Sequence, residues 1–328
     1  MILGIDVSKK TLDAALLNSS EPIREPTCKA RHKVFANTPT GHQQMLEWLA
    51  QNEVAQVHAC LEATGTYGEG IARALHEVGH RVSLVNPMLI RAFGQSQLSR
   101  TKTDKADAQL MARFCAMHQP PSWTPPTPEM AQLQALVRRL EALDQMRVME
   151  ENRLESGVSS EEVRASLHEH IAYLQAQIET TRRQIKDHIN QNPTLKSQRD
   201  LLLSIPGIGE ITASLLLAEV DVAQFESARQ VAAFAGLVPR HRQSGTSVRG
   251  RSRLSKAGSS RLRKGLYFPA LTALRFNPLI RALGLRLSAK GKSKMLILGA
   301  AMRKLLHIAF GVLKSGQPFD PNFAAQNG

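Results

Sequence analysis

The sequence predicts a chain of the α/β plus α class, in which a mixed-sheet domain precedes a mainly helical region. In residues 1–118, short apolar stretches of strand length alternate with stretches of helical periodicity. Residues 119–128 hold five of the 16 prolines, and apolar residues recur at helical spacing beyond them. The expected divisions are a sheet domain at 1–118, a Pro-rich linker at 119–128, a helical coiled-coil hairpin at 129–192 and a basic domain at 193–328.

The elements of the first domain follow in the order β-β-β-α-β-α-β-α. ILGIDV is the first strand, LDAALL its hairpin partner and KVFAN the third strand. TGHQQMLEWLAQ is a helix with Thr40 as its cap, and VHACLEA is a fourth strand that ends at Glu62. After the helix GEGIARALHEVG comes the strand RVSLVNP, stopped by Pro87, and then a helix over 103–118. In a mixed sheet of this order, the first and fourth strands are neighbours.

The middle of the chain reads as an extended segment followed by two long helices. Residues 119–128 are too rich in proline for a helix or a central strand. From Met130 to Ile189 the apolar residues fall at helical spacing, with a break near Gly157. A helical hairpin is therefore expected, packed on itself or also against a second protomer; a simple spacer is the alternative.

LLLSIPGIGEITASLLLAEV, residues 201–220, reads as an apolar helix, a tight PGIG turn and a second apolar helix. This resembles a helix-hairpin-helix, in which glycines let backbone N–H groups approach a phosphate. A plain helical hairpin inside a core has the same pattern, so both interpretations stay open.

The positive charge is concentrated in the last third of the chain. The net charge is +14, yet 19 of the 42 Lys and Arg lie between Ser227 and Phe319, where there is no Asp or Glu. Such a polycation favours nucleic acid as a partner. No uninterrupted apolar run reaches the length of a membrane span, and no membrane partner is expected. Three dispersed cysteines and a start that is not a signal peptide indicate the cytoplasm.

Four acidic residues of the first domain are candidates for a metal site. Asp6 lies on the first strand and Glu62 at the end of the fourth, while Asp104 and Asp107 share one face of the last helix. If these elements meet, the carboxylates repel one another unless a cation neutralises them. Oxygen ligands suit Mg²⁺ or Mn²⁺, which assist displacement at phosphorus.

The stretch QSGTSVRGRSRLSKAG, residues 243–258, places several serines among cations. Ser244 or Ser247 is the candidate nucleophile, since a serine hydroxyl needs a base, a metal or a strongly positive setting to react. The candidate phosphate ligands are basic residues of the same loop: Arg240, Arg242, Arg249, Arg251, Arg253 and Lys256.

Seven motifs follow one another along essentially the whole chain: GIDVSK, LEATGTY, KTDKADA, IPGIGEITA, FAGLVPR, QSGTSVRGRSRLSKAG and ILGAAMRKLLHIAFGVLKSG. Together they resemble the DEDD-type insertion-sequence transposases, the bridge-RNA-guided serine recombinase family that is related to a pilin-gene invertase. The resemblance implies a RuvC-like variant of the ribonuclease H fold for the first domain. It also implies that Asp6, Glu62, Asp104 and Asp107 hold Mg²⁺ and that Ser244 is the nucleophile, bound covalently to DNA during strand exchange.

The same resemblance implies donor and target DNA, a structured noncoding guide RNA and a homo-oligomer, dimer to tetramer, in a bacterial cytoplasm near the nucleoid. Two other functions stay open. A metal-dependent nuclease for Holliday-junction-type structures would use the acids and water, without a serine nucleophile. A nucleic-acid-binding protein with a silent nuclease-like domain would use neither.

Overall fold

The computed structural model describes residues 1–18, 30–63, 65–97, 103–240, 243–244, 248–249 and 253–322, with the backbone alone at 243–244 and 248–249. The chain forms two compact units, Met1–Pro125 and Pro126–Gly328. The first holds a five-stranded sheet, and the second is mainly helical. The predicted combination of a mixed-sheet domain with a mainly helical remainder is confirmed, while the finer division into four parts stays a prediction.

The sheet of the first unit has the order β3-β2-β1-β4-β5. Its strands are β1 (Ile2–Val7), β2 (Thr11–Leu17), β3 (Arg31–Ala36), β4 (His58–Glu62) and β5 (Arg81–Val85). β1 to β3 form an antiparallel meander, whereas β4 and β5 run parallel to β1. The predicted neighbourhood of the first and fourth strands is therefore confirmed.

Helices cover both faces of this sheet. The helices are α1 (Pro39–Gln51), α2 (Glu69–Glu77), α3 (Pro87–Ser96) and α4 (Asp104–His118), with a 3₁₀ turn at Thr66–Gly68. α1 and α2 pack with Leu3, Ile5 and Leu61 in one core. α3 and α4 pack with Cys60 and Val85 in another. Alternate residues of a strand point to opposite faces, so the even-numbered residues of β1 and β4 face α4.

Helix capping explains two differences between the expected and the observed elements. α1 begins earlier than predicted, because Thr38 rather than Thr40 caps it by accepting the Gly41 N–H. Pro39 then takes the first helical position, where its missing N–H costs nothing. Likewise Pro87 does not merely stop β5: with Asn86 as its cap it starts α3, a helix that the sequence pattern did not indicate.

The first half of the Pro-rich segment is extended and lies along β5. The Trp123 N–H donates to the Val82 carbonyl oxygen at 2.7 Å, and Ser83 Oγ donates to the carbonyl oxygens of Pro120 and Pro121. The Trp123 ring packs against the core that holds α1 and α2. These residues therefore belong to the first unit.

The second unit opens with two long helices, α5 (Pro128–Glu155) and α6 (Glu161–Gln191), which pack against each other. Their buried apolar residues include Leu133, Leu140, Leu174 and Ile185. The predicted pair of helices and the break between them are thus observed. Coiled-coil packing of the pair stays a prediction.

In the part of the chain that the structure describes, the rest of the second unit consists of six shorter helices and a longer, partly buried one. These are α7 (Pro193–Leu203), α8 (Glu210–Glu219), α9 (Ala228–Phe234), α10 (Ser260–Gly265), α11 (Tyr267–Phe276), α12 (Pro278–Ala289) and α13 (Lys294–Ser315). In the α7–α8 turn, Gly207 has φ +107°, and a Cβ there would stand 2.8 Å from Ala273 Cβ of α11. This glycine permits close packing inside the unit, and the helix-hairpin-helix assignment stays a prediction.

Among the described residues, α13 is the one helix long and apolar enough to cross a membrane by length and composition, with a mean hydropathy of 1.7 over an 18-residue window. The sequence pattern did not show it as a continuous run because Arg303 and Lys304 interrupt it. Half of the window is buried, and Leu298, Leu305 and Phe310 lie in the core of the second unit. α13 therefore has the burial of a core helix.

Candidate functional site

Asp6 and Glu62 lie together at one edge of the sheet. β1 and β4 are parallel, and their register pairs Ile5 with Leu61. The next residue of each strand is therefore the carboxylate, and both side chains point to the face that α4 covers. A parallel pair of strands thus puts two acids side by side, as the sequence predicted.

Gly4 brings the helix with the other two acids onto the same strand. A Cβ at Gly4 would stand 2.1 Å from the Ala108 carbonyl oxygen and 2.3 Å from the Ala112 nitrogen, so only glycine permits this approach of α4. Thr103 caps α4 by accepting the Ala106 N–H at 3.2 Å. The first turn of α4 carries Asp104 and Asp107.

The electrostatics of Asp6 show that the acids act on one another. The pKa of Asp6 is raised from 3.8 to about 6, first by burial and then by the negative charges of Asp107, Asp104, Glu62 and Asp13, in that order. The first three are the predicted partners of Asp6. Asp13 is a residue that the sequence reasoning missed.

The donor set fits a divalent cation. All four predicted side chains are carboxylates, the oxygen ligands that Mg²⁺ and Mn²⁺ prefer, and a cation would relieve the repulsion that raises the pKa of Asp6. Within the described ranges, no three His, Cys, Asp or Glu side chains stand close enough together to hold an ion. The acids therefore lie within electrostatic range of Asp6 without forming a closed cage.

Asn37 fastens the two loops beside the acids. Its Nδ2 donates to the carbonyl oxygens of Ser8 at 2.9 Å and Tyr67 at 3.0 Å, while His42 Nε2 donates to its Oδ1 at 2.9 Å. Ser8 follows β1 and Tyr67 follows β4. Asn37 thus connects the chain segments that leave Asp6 and Glu62. Its role was hidden at the end of a predicted strand.

Backbone ladders pair parts of the basic loop in the second unit. Pro239–Arg240 (β6) pairs with Arg253–Leu254 (β9), and Gln243–Ser244 (β7) pairs with Val248–Arg249 (β8). Arg240 stands directly opposite Arg253, and both are exposed. Like charges opposite each other destabilise a ladder, so this pair favours an anionic partner. Lys256 is also exposed.

Several predicted residues lie outside the described residues. These are Arg242, Ser247 and Arg251, together with the side chains of Ser244 and Arg249. The backbone pairs Ser244 with Val248, and nothing further is seen of the predicted nucleophile.

Arg263 holds the base of the loop from within the same unit. Its Nη1 donates to the carbonyl oxygens of Ala235, Gly258 and Ser259 at 3.0, 2.9 and 3.2 Å. Burial lowers the pKa of this guanidinium. In the sequence, Arg263 is one of many basic residues in the acid-free run, and this position does not distinguish a structural arginine from a phosphate ligand.

A sheet domain whose carboxylates act on one another, followed by a unit with an acid-free basic run between Ser227 and Phe319, is typical of an enzyme that acts on nucleic acid. Family comparisons make the class specific. The IS110-type DEDD transposase family matches residues 3–160, and the family described as "Transposase IS116/IS110/IS902 family" matches residues 199–284. The chain therefore belongs to the IS110 family of DEDD transposases, enzymes of DNA transposition and inversion.

Two sequence relatives support this membership. The pilin gene-inverting protein of Moraxella bovis is 35% identical over 97% of both chains. The transposase of insertion element IS1328 from Yersinia enterocolitica is 34% identical over 59% of this chain and 64% of its own. A solved structure of Thermus thermophilus RuvC is 17% identical, covers 37% of this chain and 98% of its own, and has a TM-score of 0.28.

Proposed function

We propose that this protein is an RNA-guided, site-specific DNA recombinase that moves or inverts an insertion element. Its first unit, a RuvC-like variant of the ribonuclease H fold, holds Mg²⁺ or Mn²⁺ on Asp6, Glu62, Asp104 and Asp107. Its second unit supplies the nucleophile Ser244. The observation that carries the proposal is the gathering of carboxylates around Asp6, whose pKa they help raise to about 6.

The chemistry proceeds through a covalent serine–DNA intermediate. Ser244 Oγ attacks the phosphorus of the scissile phosphodiester, the bond from phosphorus to the leaving strand's oxygen breaks, and that oxygen takes up a proton. The hydroxyl of the incoming strand then attacks the serine phosphodiester and releases Ser244. One phosphodiester bond is exchanged for another in each step, so no ATP is needed.

The acidic and basic groups have separate tasks in this proposal. A bound divalent ion supplies positive charge to the scissile phosphate and assists deprotonation of the nucleophile. Arg240 and Arg253 hold neighbouring phosphates by forked hydrogen bonds, and we assign the same task to Arg242, Arg249, Arg251 and Lys256. The acids belong to the first unit and Ser244 to the second, and whether they act within one protomer or between two stays open.

The partners are donor and target DNA, a structured noncoding RNA and further copies of the chain, in the bacterial cytoplasm. The RNA rests on the family resemblance and on the acid-free run between Ser227 and Phe319, which is long enough for two nucleic acids. The hairpin of α5 and α6 is the proposed assembly element. It exposes a set of large apolar side chains: Met146, Val148, Met149, Val163 and Tyr173.

The serine mechanism predicts that Ser244→Ala abolishes a protein–DNA adduct. The wild-type protein, Mg²⁺, the RNA encoded beside the gene and end-labelled target DNA are incubated and denatured, and the adduct is resolved on a gel. Ser260→Ala is the matched control, because Ser260 is exposed on α10 of the same unit. We expect a full adduct with this control and none with Ser244→Ala.

The other outcomes separate the remaining functions. Loss of the adduct in Ser247→Ala but not in Ser244→Ala moves the nucleophile to Ser247. Free nicked ends that survive both substitutions indicate a nuclease that uses water, for which the acidic cluster alone would suffice. Binding without cleavage in the presence of Mg²⁺ and RNA indicates a silent nuclease-like domain.

A further inference from the structure

Asp13 lies directly opposite Asp6 in the sheet. β1 and β2 are antiparallel, and their register pairs the two residues. Side chains of directly opposed residues share a face and have Cβ atoms about 5 Å apart. This face is the one that α4 covers, because Gly4, two residues before Asp6, is in contact with α4. Asp13 is therefore a carboxylate on the same side of the sheet as the acidic cluster.

The position of Asp13 is electrostatically unfavourable without a cation. Only 8% of the residue is exposed, and the residue paired with it across the sheet is the carboxylate Asp6. Two like charges directly opposite each other destabilise a sheet. The remainder of β2, with the sequence TLDAALL, is otherwise apolar apart from Thr11.

His32 fixes the orientation of this carboxylate. His32 Nε2 donates to Asp13 Oδ1 at 2.8 Å, from β3 on the other side of β2. The register pairs Asp13 with Val34 and Ala15 with His32, so the histidine reaches its partner diagonally on the same face. The hydrogen bond occupies one carboxylate oxygen on the side away from β1. It leaves the charge of Asp13 opposite Asp6.

Fastening β2 to β3 through His32 does not by itself require a negative charge at position 13. An asparagine at position 13 would accept the same hydrogen bond from His32 and fasten β2 to β3 without a negative charge. An aspartate strengthens the bond to His32 but also adds repulsion toward Asp6 as long as the acidic cluster holds no cation. Carboxylates that lie beside a metal site and are themselves hydrogen-bonded do tune the affinity for the ion.

We propose that Asp13 is a further carboxylate of the cation site at Asp6, and that His32 is the residue that positions it. Asp13 acts on the ion through its charge and as an acceptor for the water molecules that the ion carries. The inference rests on the proposed function in one respect, namely that Asp6 belongs to a divalent cation site.

The test measures binding of Mn²⁺ alone to the full-length protein, without nucleic acid, by the loss of the free-ion electron paramagnetic resonance signal. We expect Asp13→Asn to weaken Mn²⁺ binding about tenfold, the lower end of the effect of such outer residues. The melting temperature of the metal-free protein should stay the same or rise, because asparagine keeps the bond from His32 and removes the repulsion. Glu47→Gln is the charge-matched control, because Glu47 is exposed on α1.

His32→Gln tests the positioning role. We expect a smaller loss of Mn²⁺ affinity than in Asp13→Asn, and no added loss in the double variant, because His32 acts only through Asp13. Losses that add in the double variant would overturn the role of His32. Circular dichroism on each variant shows that the sheet domain is folded.

The outcomes keep this inference apart from the proposed function. Unchanged Mn²⁺ affinity in Asp13→Asn, together with its loss in Asp6→Asn, would overturn the inference alone. Wild-type affinity in Asp6→Asn would overturn the cation site and with it the proposed function. A lower metal-free melting temperature in Asp13→Asn with unchanged affinity would assign Asp13 a structural role only.

Discussion

At Asp6, burial and the neighbouring negative charges both raise the pKa of the carboxyl group. Burial is the largest single cause of its raised pKa, and the neighbouring carboxylates add to it. The folded protein therefore binds a proton at Asp6 more tightly than the unfolded chain does. Ionisation of Asp6 costs stability, and this cost is absent below about pH 4 and fully present above about pH 6.

Because ionisation of Asp6 costs stability, we expect the Asp6→Asn variant to be more stable than the wild type in the absence of divalent ions, by an amount that depends on pH. At pH 7.5 we expect the free energy of unfolding to rise by about 1 kcal/mol, after allowance for solvent at this half-buried side chain. The gain should shrink as the pH falls from 6 toward 4, since the wild-type carboxyl is then protonated in the folded state. Urea unfolding at several pH values measures it.

Two controls belong to that series. Glu47→Gln removes an exposed carboxylate of the same unit and should show no such pH dependence. Millimolar Mg²⁺ should stabilise the wild type and not Asp6→Asn. A gain that is constant from pH 4 to 7.5 would contradict the account of Asp6.

At the scale of elements, the contact between α4 and β1 decides whether the acids meet. Gly4 is the point of closest approach, and backbone atoms of Ala108 and Ala112 occupy the space that a side chain would need. Backbone atoms cannot rotate away as a side chain can. Any residue larger than glycine must therefore move α4, and with it Asp104 and Asp107.

Gly4→Ala is thus expected to damage both stability and the site. Overpacking of this kind costs about 1–3 kcal/mol, and Mn²⁺ binding should weaken because α4 carries two of the acids. Thermal unfolding and Mn²⁺ titration measure the two effects. Gly68→Ala is the control in the same unit, since a Cβ there would make only ordinary contacts, 3.7 Å from the nearest atom. If both variants bind Mn²⁺ equally well, Gly4 does not set the position of α4.

Most elements of the first unit follow from sequence patterns, and the exceptions have local causes. The five strands and the helices α1, α2 and α4 are where apolar periodicity predicts them. α3 was missed because Pro87 was interpreted only as the end of a strand, although proline also suits the first turn of a helix. Asp13 was missed because it is one polar residue in an apolar strand, and only the register places it opposite Asp6.

At the scale of the whole molecule, the proposed function assigns cation binding to the first unit and nucleic-acid binding to the second. The acids of the predicted tetrad all lie in Met1–Pro125, and the acid-free run lies in Pro126–Gly328. Cation-dependent cleavage and nucleic-acid binding should therefore be separable by substitution. A positive unit that binds phosphates also makes binding fall with salt.

We expect Asp104→Asn to abolish adduct formation while RNA binding stays largely intact. Conversely, Arg240→Gln with Arg253→Gln should weaken nucleic-acid binding and reduce the salt slope by about 2, near 0.9 for each lost phosphate contact with DNA. A denaturing gel measures adduct formation, and fluorescence anisotropy over a range of salt concentrations measures RNA binding and the salt slope. Arg183→Gln with Lys186→Gln, on exposed positions of α6, is the charge-matched control. Loss of RNA binding in Asp104→Asn would count against the division of tasks.

The sequence by itself determined the class of the protein, the order of its elements and the set of candidate residues. These depend on periodicity, motif order and charge, which are properties of the chain in one dimension. Only the tertiary structure decided which side chains meet. The β1–β2 register puts Asp13 opposite Asp6, and the missing Cβ of Gly4 admits α4. Both are contacts between backbones distant in sequence, and strand register and close packing are fixed only when the sheet and its helix assemble.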